Sequence, residues 1–410
     1  MHRTSPGPST DGGSAIRALQ LPALSAAGLL AMAQIPYFRG HERLYPIMLA
    51  AATFLVVWGL ALVWTARATG RRLVLERVVR RPHWVQAFAQ AALFLYWGWH
   101  ARTVYGLFPL IAAQIVFAYG VDALVAWSRR DTHRLGFGPL PIIFSINLFL
   151  LFRPQWFHWQ LVMIVVGYVA KDVIRWQRDG RSAHIFNPSS FPLGVTSLVL
   201  ILVGATDLTL GSYIAQSQST APGMYLAIFL VSIPGQMLFG VARMTLSAVV
   251  TMVAVSAVYF GLTGTYMFPD AFITVPVFLG MHLLFTDPST SPRTEAGQLF
   301  FGVLYALGVT AFYFILEGAG LPTFYEKLLP VSLMNLSVRR IDAWARTGWL
   351  RGLDPTRIGA SLTPLRRNVA YTSAWVGAFA LFSSTTVLGD DHPGQYYPFW
   401  RDACAVGNER

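Results

Sequence analysis

The chain is 410 residues long, and only 12% of them are charged, with 31 Lys and Arg against 19 Asp and Glu; a soluble protein carries about 25%. Hydrophobic residues make up 54%, mean hydropathy is +0.49, and 28 Phe, 16 Tyr and 13 Trp are present. This balance excludes a soluble globular domain and a disordered chain. The lone Cys404 excludes a disulfide framework, a thiolate metal cage and a four-Cys iron–sulfur site within this chain.

The first residues, MHRTSPGPSTDGGSA, form a polar tail with no signal-peptide pattern. Apolar runs then recur along the whole chain and predict an all-α, polytopic membrane protein of about thirteen spans. The first four are Ile16–Pro36, Pro46–Ala66, Trp84–Ala101 and Val104–Ser128. Gly138–Phe152, His158–Trp176, Pro188–Gly204, Gly223–Ala242 and Met244–Leu262 come next. The series closes with Ala271–Thr286, Ala296–Leu316, Phe324–Ile341 and Val369–Thr386. The fifth, seventh and tenth are short for a membrane helix of roughly 20 residues, as half-helices or re-entrant pieces are.

The net charge of +12 resides in short loops between these runs, which is a topology signal and not a nucleic-acid footprint. With a cytoplasmic N-terminus, alternate loops hold 24 Lys and Arg on the inside and six on the outside. That asymmetry places the loops 67–83, 129–137, 176–184 and 343–368 in the cytoplasm of a bacterial-type cell. Soft boundaries at the longest basic loops divide the chain into N-terminal extra spans (1–134), a membrane core (135–345), and a basic connector with last span and tail (346–410).

Several polar residues interrupt the apolar pattern. Asp122 lies two turns inside the fourth span, and Lys171, Asp172 and Arg175 cluster at the end of the sixth, suited to ion pairing or to a phosphate. Ile233-Pro234-Gly235-Gln236 predicts a kinked or broken eighth span. His282 sits inside the tenth span as a candidate hydrogen-bond donor or haem ligand, while His100 and His158 fall at span ends. Trp84, Trp97, Trp99, Trp156 and Trp159 read as interfacial anchors.

Two segments resemble one another: HIFNPSSF at 184–191 and LFTDPSTS at 284–291. Asn and Asp are strong helix N-caps and Pro suits the first helical position, so Asn187 and Asp287 are each expected to start a helix. Ser189, Ser190, Ser289 and Thr290 supply hydroxyls behind the caps. Free amides at two such helix starts would suit a phosphate, a carboxylate or an electron-rich ring near the middle of the membrane.

The pairing of IFNPSSF with LLFTDPSTSPRTEAGQLFFGVLYALG resembles the RnfD/NqrB family, integral-membrane components of the Rnf electron-transport complex and of the sodium-translocating NADH:quinone reductase. Within it, HIFNPSSF is most similar to the membrane branch associated with enediyne biosynthesis. The resemblance covers about 135–345 and implies a flavin-carrying electron-transfer subunit, with FMN or riboflavin as cofactor and other redox subunits as partners. Family members attach FMN to a Thr in a short motif; the nearest match is Val203-Gly204-Ala205-Thr206. Here Val203 replaces a small hydroxylic residue and Asp207 follows the Thr where the family has an Asp before it, which favours non-covalent flavin near the two caps over attachment at Thr206. No dinucleotide fingerprint, Walker sequence or nucleophile elbow is present, so electrons from a nicotinamide would come through another subunit. A solute or ion channel or transporter built on paired broken helices, and a scaffold subunit without cofactor, are the alternatives.

Overall fold

The computed structural model describes residues 19–178, 180–268, 271–358, 362–385 and 387–388. Cys404, the polar start of the chain, and Arg3, Arg17, Arg401 and Arg410 lie outside the described residues. Fourteen helices of nine residues or more account for most of the described chain. The first four are α1 (Gln20–Ala33), α2 (Leu44–Ala68), α3 (Arg81–His100) and α4 (Phe108–Arg129). The next are α5 (Pro139–Asn147), α6 (Phe157–Val173), α7 (Ser190–Leu202), α8 (Gly211–Ser219) and α9 (Met224–Phe239). The last are α10 (Ala242–Thr263), α11 (Val275–Leu283), α12 (Glu295–Gly318), α13 (Leu329–Arg346) and α14 (Pro364–Ser384).

Helices α2, α4, α10 and α12 are each long and apolar enough to cross a membrane; α8 and α9, bent by 100°, make a fifth if read as one broken span. The expected thirteen spans are not confirmed by this measure. The other helices are too short or too polar: α13, for example, carries Arg339, Arg340, Asp342 and Arg346 in its last two turns. Nine-residue α5 and α11 reach about 14 Å at 1.5 Å per residue, half of a hydrocarbon core about 30 Å thick. Pro139 and Pro276 stand in the first turn of these two half-helices, where a missing amide costs nothing.

Beyond each half-helix the chain continues unwound within the bundle, and its backbone finds partners group by group. After α5, residues 148–152 are all buried. Gln218 Nε2 donates to Leu148 O at 2.8 Å, Gln160 Oε1 accepts from Phe152 N at 3.0 Å, and Leu210 N donates to Leu151 O at 2.7 Å. Gln160 is itself held by Gln114, which exchanges both amide bonds with Asn147 at the end of α5. After α11, Leu284 O accepts from Asn187 Nδ2 and Ser190 Oγ, at 3.0 and 3.1 Å. Thr290 O accepts from Asn335 Nδ2 and Ser291 O from Arg178 Nη2. Both unwound stretches therefore satisfy the rule that apolar interiors impose on backbone polar groups.

The basic loops gather at one end of the bundle. Arg71 pairs with Asp131, Arg178 with Asp342, and Glu295 with both Arg243 and Arg367. At the opposite end Arg43 stacks on Trp156, Arg102 on Trp99, and Tyr96 Oη donates to Pro222 O. Two small sheets, not anticipated from the sequence, order the basic end. β1 (Val74–Arg77) pairs in parallel with β2 (Thr132–Leu135), and β3 (Arg175–Arg178) forms a hairpin with β4 (Arg181–His184). Gly136 permits the first pairing to close, since a Cβ there would lie 2.3 Å from Val78 O. Within 19–134, α3 and α4 pack directly on the central helices: α4 lies against α5 and α6, and α3 against α5 and α9.

Asp342 is the most heavily used carboxylate at this end. One oxygen takes Arg178 Nη2 at 2.7 Å; the other accepts from Arg293 N, Thr294 N and Thr294 Oγ1 at 2.9–3.1 Å. It thus holds, from a different helix, the two residues that lead into α12. Asp342→Ala would strand a buried guanidinium and three donors, and the expected loss is roughly 3–5 kcal/mol. Glu76→Ala, which frees the exposed Arg134, should cost less than about 1 kcal/mol. Thermal unfolding of both variants in detergent checks the contrast; equal midpoints would refute it.

Candidate functional site

A cavity of about 560 Å³ opens at the basic end, within the range of roughly 300–1,000 Å³ typical of small-molecule sites. Its walls come from sequence-distant pieces: His83 and Gln86 of α3, Asp122 of α4, the β2 strand, the start of α5, Lys171 of α6, the β3–β4 hairpin, and both motif segments. Asn187, Pro188 and Ser189 line it together with Asp287 and Ser289. Gly167 makes this possible on the α6 side, because a Cβ there would sit 2.7 Å from Pro188 O.

Asn187 does cap a helix. Its Oδ1 accepts from Ser189 N at 2.9 Å and Ser190 N at 3.2 Å, and its carbonyl accepts from Phe191 N at 3.0 Å. The amides expected to face a ligand are therefore consumed by the cap itself, since an N-cap satisfies the donors that a ligand would otherwise find. The Asn187 amide nitrogen points the other way and supports the unwound chain at Leu284.

Asp287 does not start a helix. It closes a turn, accepting from Ser289 N at 3.0 Å and from Thr290 Oγ1 at 3.1 Å, while Thr290 N bonds to Asp287 O. Pro292 disfavours helical backbone at Ser291, so the turn cannot propagate and α12 begins only at Glu295. Asp and Asn form such turns with the same local bonds that cap helices, which is why the two motifs look alike in sequence. The two segments are nevertheless adjacent, joined by Asn335 of α13, which accepts from Asn187 N and donates to Thr290 O.

The remaining expected site residues separate. Ser190 and Thr290 are buried behind the cavity wall and bond to Leu284 O and Asp287. His282 is buried on α11, one layer deeper. Thr206 lies in a turn (Thr206–Leu208) beyond the far end of α7, and the 13-residue helix alone spans about 20 Å. It is not brought to the site of Asn187 and Asp287. His100 and His158 stack on Tyr96 and on Trp156 and Trp159 respectively, away from the cavity.

Five cationic side chains line the cavity: Arg80, Arg130, Arg134, Lys171 and Arg175. Arg130 pairs with Asp172, Lys171 with Asp122 at 3.2 Å, and Arg134 with Glu76 at 3.2 Å. Among the described residues no carboxylate pairs with Arg80 or Arg175; Arg175 bonds only neutral groups of Ser182 and Lys171. Two uncompensated guanidiniums thus face the cavity. For Asp287, burial pushes the carboxyl up, but His184 at 3.8 Å and the bonds from Ser289 and Thr290 outweigh it and hold the carboxyl below its ordinary value. Burial lowers the imidazole of His83, aided by Arg80 and Lys171 and opposed by Asp287 and Asp122. Burial also lowers that of His133, with Asp122 opposing most strongly.

Sequence reasoning missed Arg80, His83 and His133, which fall in the basic loops 67–83 and 129–137 as the sequence divides, and gave His184, the first residue of HIFNPSSF, no role. Asn335 escaped because a single buried amide has no sequence signature. Asn335→Ala removes a side chain from outside both motif segments that bonds to each of them, so it should loosen them together. Proteolysis within 284–292 should accelerate in that variant, and an unchanged rate would count against the bridge. The two lowered imidazoles set a pH dependence. Both are neutral at pH 7 and gain protons only as pH falls below their ordinary value, adding positive charge to the cavity. Sulfate binding, measured by equilibrium dialysis, should tighten several-fold between pH 7 and pH 5. The double change His83→Gln and His133→Gln should blunt that rise; a flat wild-type profile would contradict the assignment.

No protein-family model, no curated protein and no solved structure matches this chain.

Proposed function

We propose that this chain is a membrane electron-transfer subunit that holds a flavin nucleotide non-covalently in the basic cavity. The observation that carries the reading is the convergence of the IFNPSSF and TDPSTS segments with five basic side chains on one cavity of about 560 Å³. A phosphate monoester carries about −1.5 to −2 charges at pH 7. The unpaired Arg80 and Arg175 match that charge, and guanidinium groups suit phosphate oxygens by geometry as well. Asn187, Ser189, Asp287 and Ser289 then offer donors and acceptors to the polar edge of a ring. A flavin, when bound, would supply the one- and two-electron chemistry; the chain's own residues would bind, orient and shield it.

In this reading the basic end faces the cytoplasm of a bacterial-type cell, the N-terminus is cytoplasmic, and the chain passes the membrane about thirteen times, with each half-helix and its unwound continuation counted as one pass. A partner redox subunit would supply electrons at the cavity mouth. Thr206 has no part in holding this flavin, so acid precipitation should release the cofactor.

Detergent-purified protein should show a flavin-type visible spectrum, and the chromophore should move to the supernatant after acid precipitation. Retention in the pellet would point to covalent attachment. Protein with no flavin that also fails to bind added FMN would overturn the reading. Arg175→Gln and Arg80→Gln should each weaken FMN at least tenfold while changing riboflavin, which lacks the phosphate, by less than threefold. The paired half-helices α5 and α11 also support a carrier of organic anions. Flux of a phosphorylated solute into liposomes by flavin-free protein would favour that second reading.

A further inference from the structure

Behind Asp287, on the bundle side, lies a second chamber of about 30 Å³. It shares Gln86 and Asp287 with the large cavity and is otherwise walled by α3, α9, α11 and the short chain after them. One water needs roughly 10–15 Å³ of such space, together with two to four polar partners. The wall provides two unusual atoms. His282 Nε2 and Gln236 Oε1 belong to side chains each only 2% exposed, and neither has a hydrogen-bond partner within the protein.

The chemistry of both atoms follows from their neighbours. His282 Nδ1 is 2.7 Å from Phe278 O, and a carbonyl can only accept, so Nδ1 carries the hydrogen. Phe278 and Trp375 flank the ring at 4.1 and 5.6 Å, and no carboxylate pairs with it among the described residues. Such surroundings disfavour an imidazolium. The ring is neutral, and Nε2 is a bare acceptor.

For Gln236, the amide group lies 3.2 Å from Ser232 Oγ. The Ser232 hydroxyl already gives its hydrogen to Phe229 O at 3.0 Å, so towards Gln236 it can only accept. The amide nitrogen must therefore face Ser232, and Oε1 is the second unsatisfied acceptor. Leaving two buried acceptors without donors is unfavourable, because each has given up its hydrogen bond to water. A molecule with two hydrogens to give removes both penalties. A hard cation fits less well, because it requires six or more oxygen ligands and the wall offers a single carboxylate, at the mouth.

We propose that the chamber is a binding site for one water molecule, which donates one hydrogen to His282 Nε2 and the other to Gln236 Oε1. Gln86 and Asp287 belong to the walls of both cavities, so the site lies next to the large cavity. The assignment is independent of which ligand the large cavity takes.

Solid-state NMR of the full chain in lipid bilayers, with ¹⁵N-labelled His and carbonyl-¹³C Phe, tests it directly. The short Nδ1 to Phe278 carbonyl contact identifies His282 in the wild-type spectrum. We expect an unprotonated, hydrogen-bonded Nε2 and rapid magnetisation transfer from water to the ring. Gln236→Met, which removes an acceptor and fills the chamber, should reduce that transfer at least fivefold while keeping the Nδ1 contact. A protonated Nε2 overturns the proposal, as does an unprotonated Nε2 that receives no transfer from water. Should Gln236→Met fail to fold, the wild-type spectrum alone decides between these outcomes.

Discussion

A backbone that leaves the helical conformation inside an apolar bundle exposes carbonyls and amides that neither lipid nor an aliphatic core can satisfy. Two stretches of this fold do so, after α5 and after α11. The first is served by Gln160 and Gln218, with Gln114 holding Gln160 in place from a third helix. The second is served by Asn187, Ser190, Asn335 and Arg178. Those donors fix the path of the chain on its way to Asp287, and so they also fix one wall of the basic cavity. Asn187, Ser190, Asn335, Arg178, Gln160 and Gln218 are thus backbone partners first.

Much of the helical layout was legible in the sequence because long apolar runs bounded by Pro, Gly and Arg leave few alternatives. The unusual shortness of 138–152 and 271–286 was visible too, and both prove to contain nine-residue helices. The β strands were not visible. Val74–Arg77 and Thr132–Leu135 show no alternation of apolar and polar residues, and they pair only because α3 and α4 bring them together. The likeness of the two motifs was real at the level of local bonds and misleading at the level of elements. An Asn or Asp that collects the amides two and three residues ahead looks the same whether a helix follows, as at Asn187, or a proline cuts it short, as at Asp287.

The arginines that give the chain its loop asymmetry also line the cavity, yet they are not equivalent. Arg178, Arg243 and Arg367 are spent on carboxylates inside the fold, where removal of a partner leaves an uncompensated charge. Arg130, Arg134 and Lys171 face the cavity but have carboxylate partners, so their net field is small. Arg80 and Arg175 are the cavity cations without a carboxylate partner among the described residues, and the Asp287 carboxylate offsets part of their charge. The net positive charge of the cavity is this remainder, not the total of its cations.

The parallel pairing of β1 with β2 has a bearing on how the molecule is assembled. Fifty-eight residues separate Val74 from its partner Thr132, and both helices of the α3–α4 hairpin lie between them. A parallel pair cannot form by a tight turn, so this one must wait until both helices of that hairpin have been made and have folded back on each other. Partly synthesised chains that stop before β2 would hold β1 as an unpaired edge with no wall behind it. The cavity wall that β2 supplies therefore comes together only after α3 and α4 have packed, and a chain in which that hairpin packed wrongly would retain its helices yet never build the cavity.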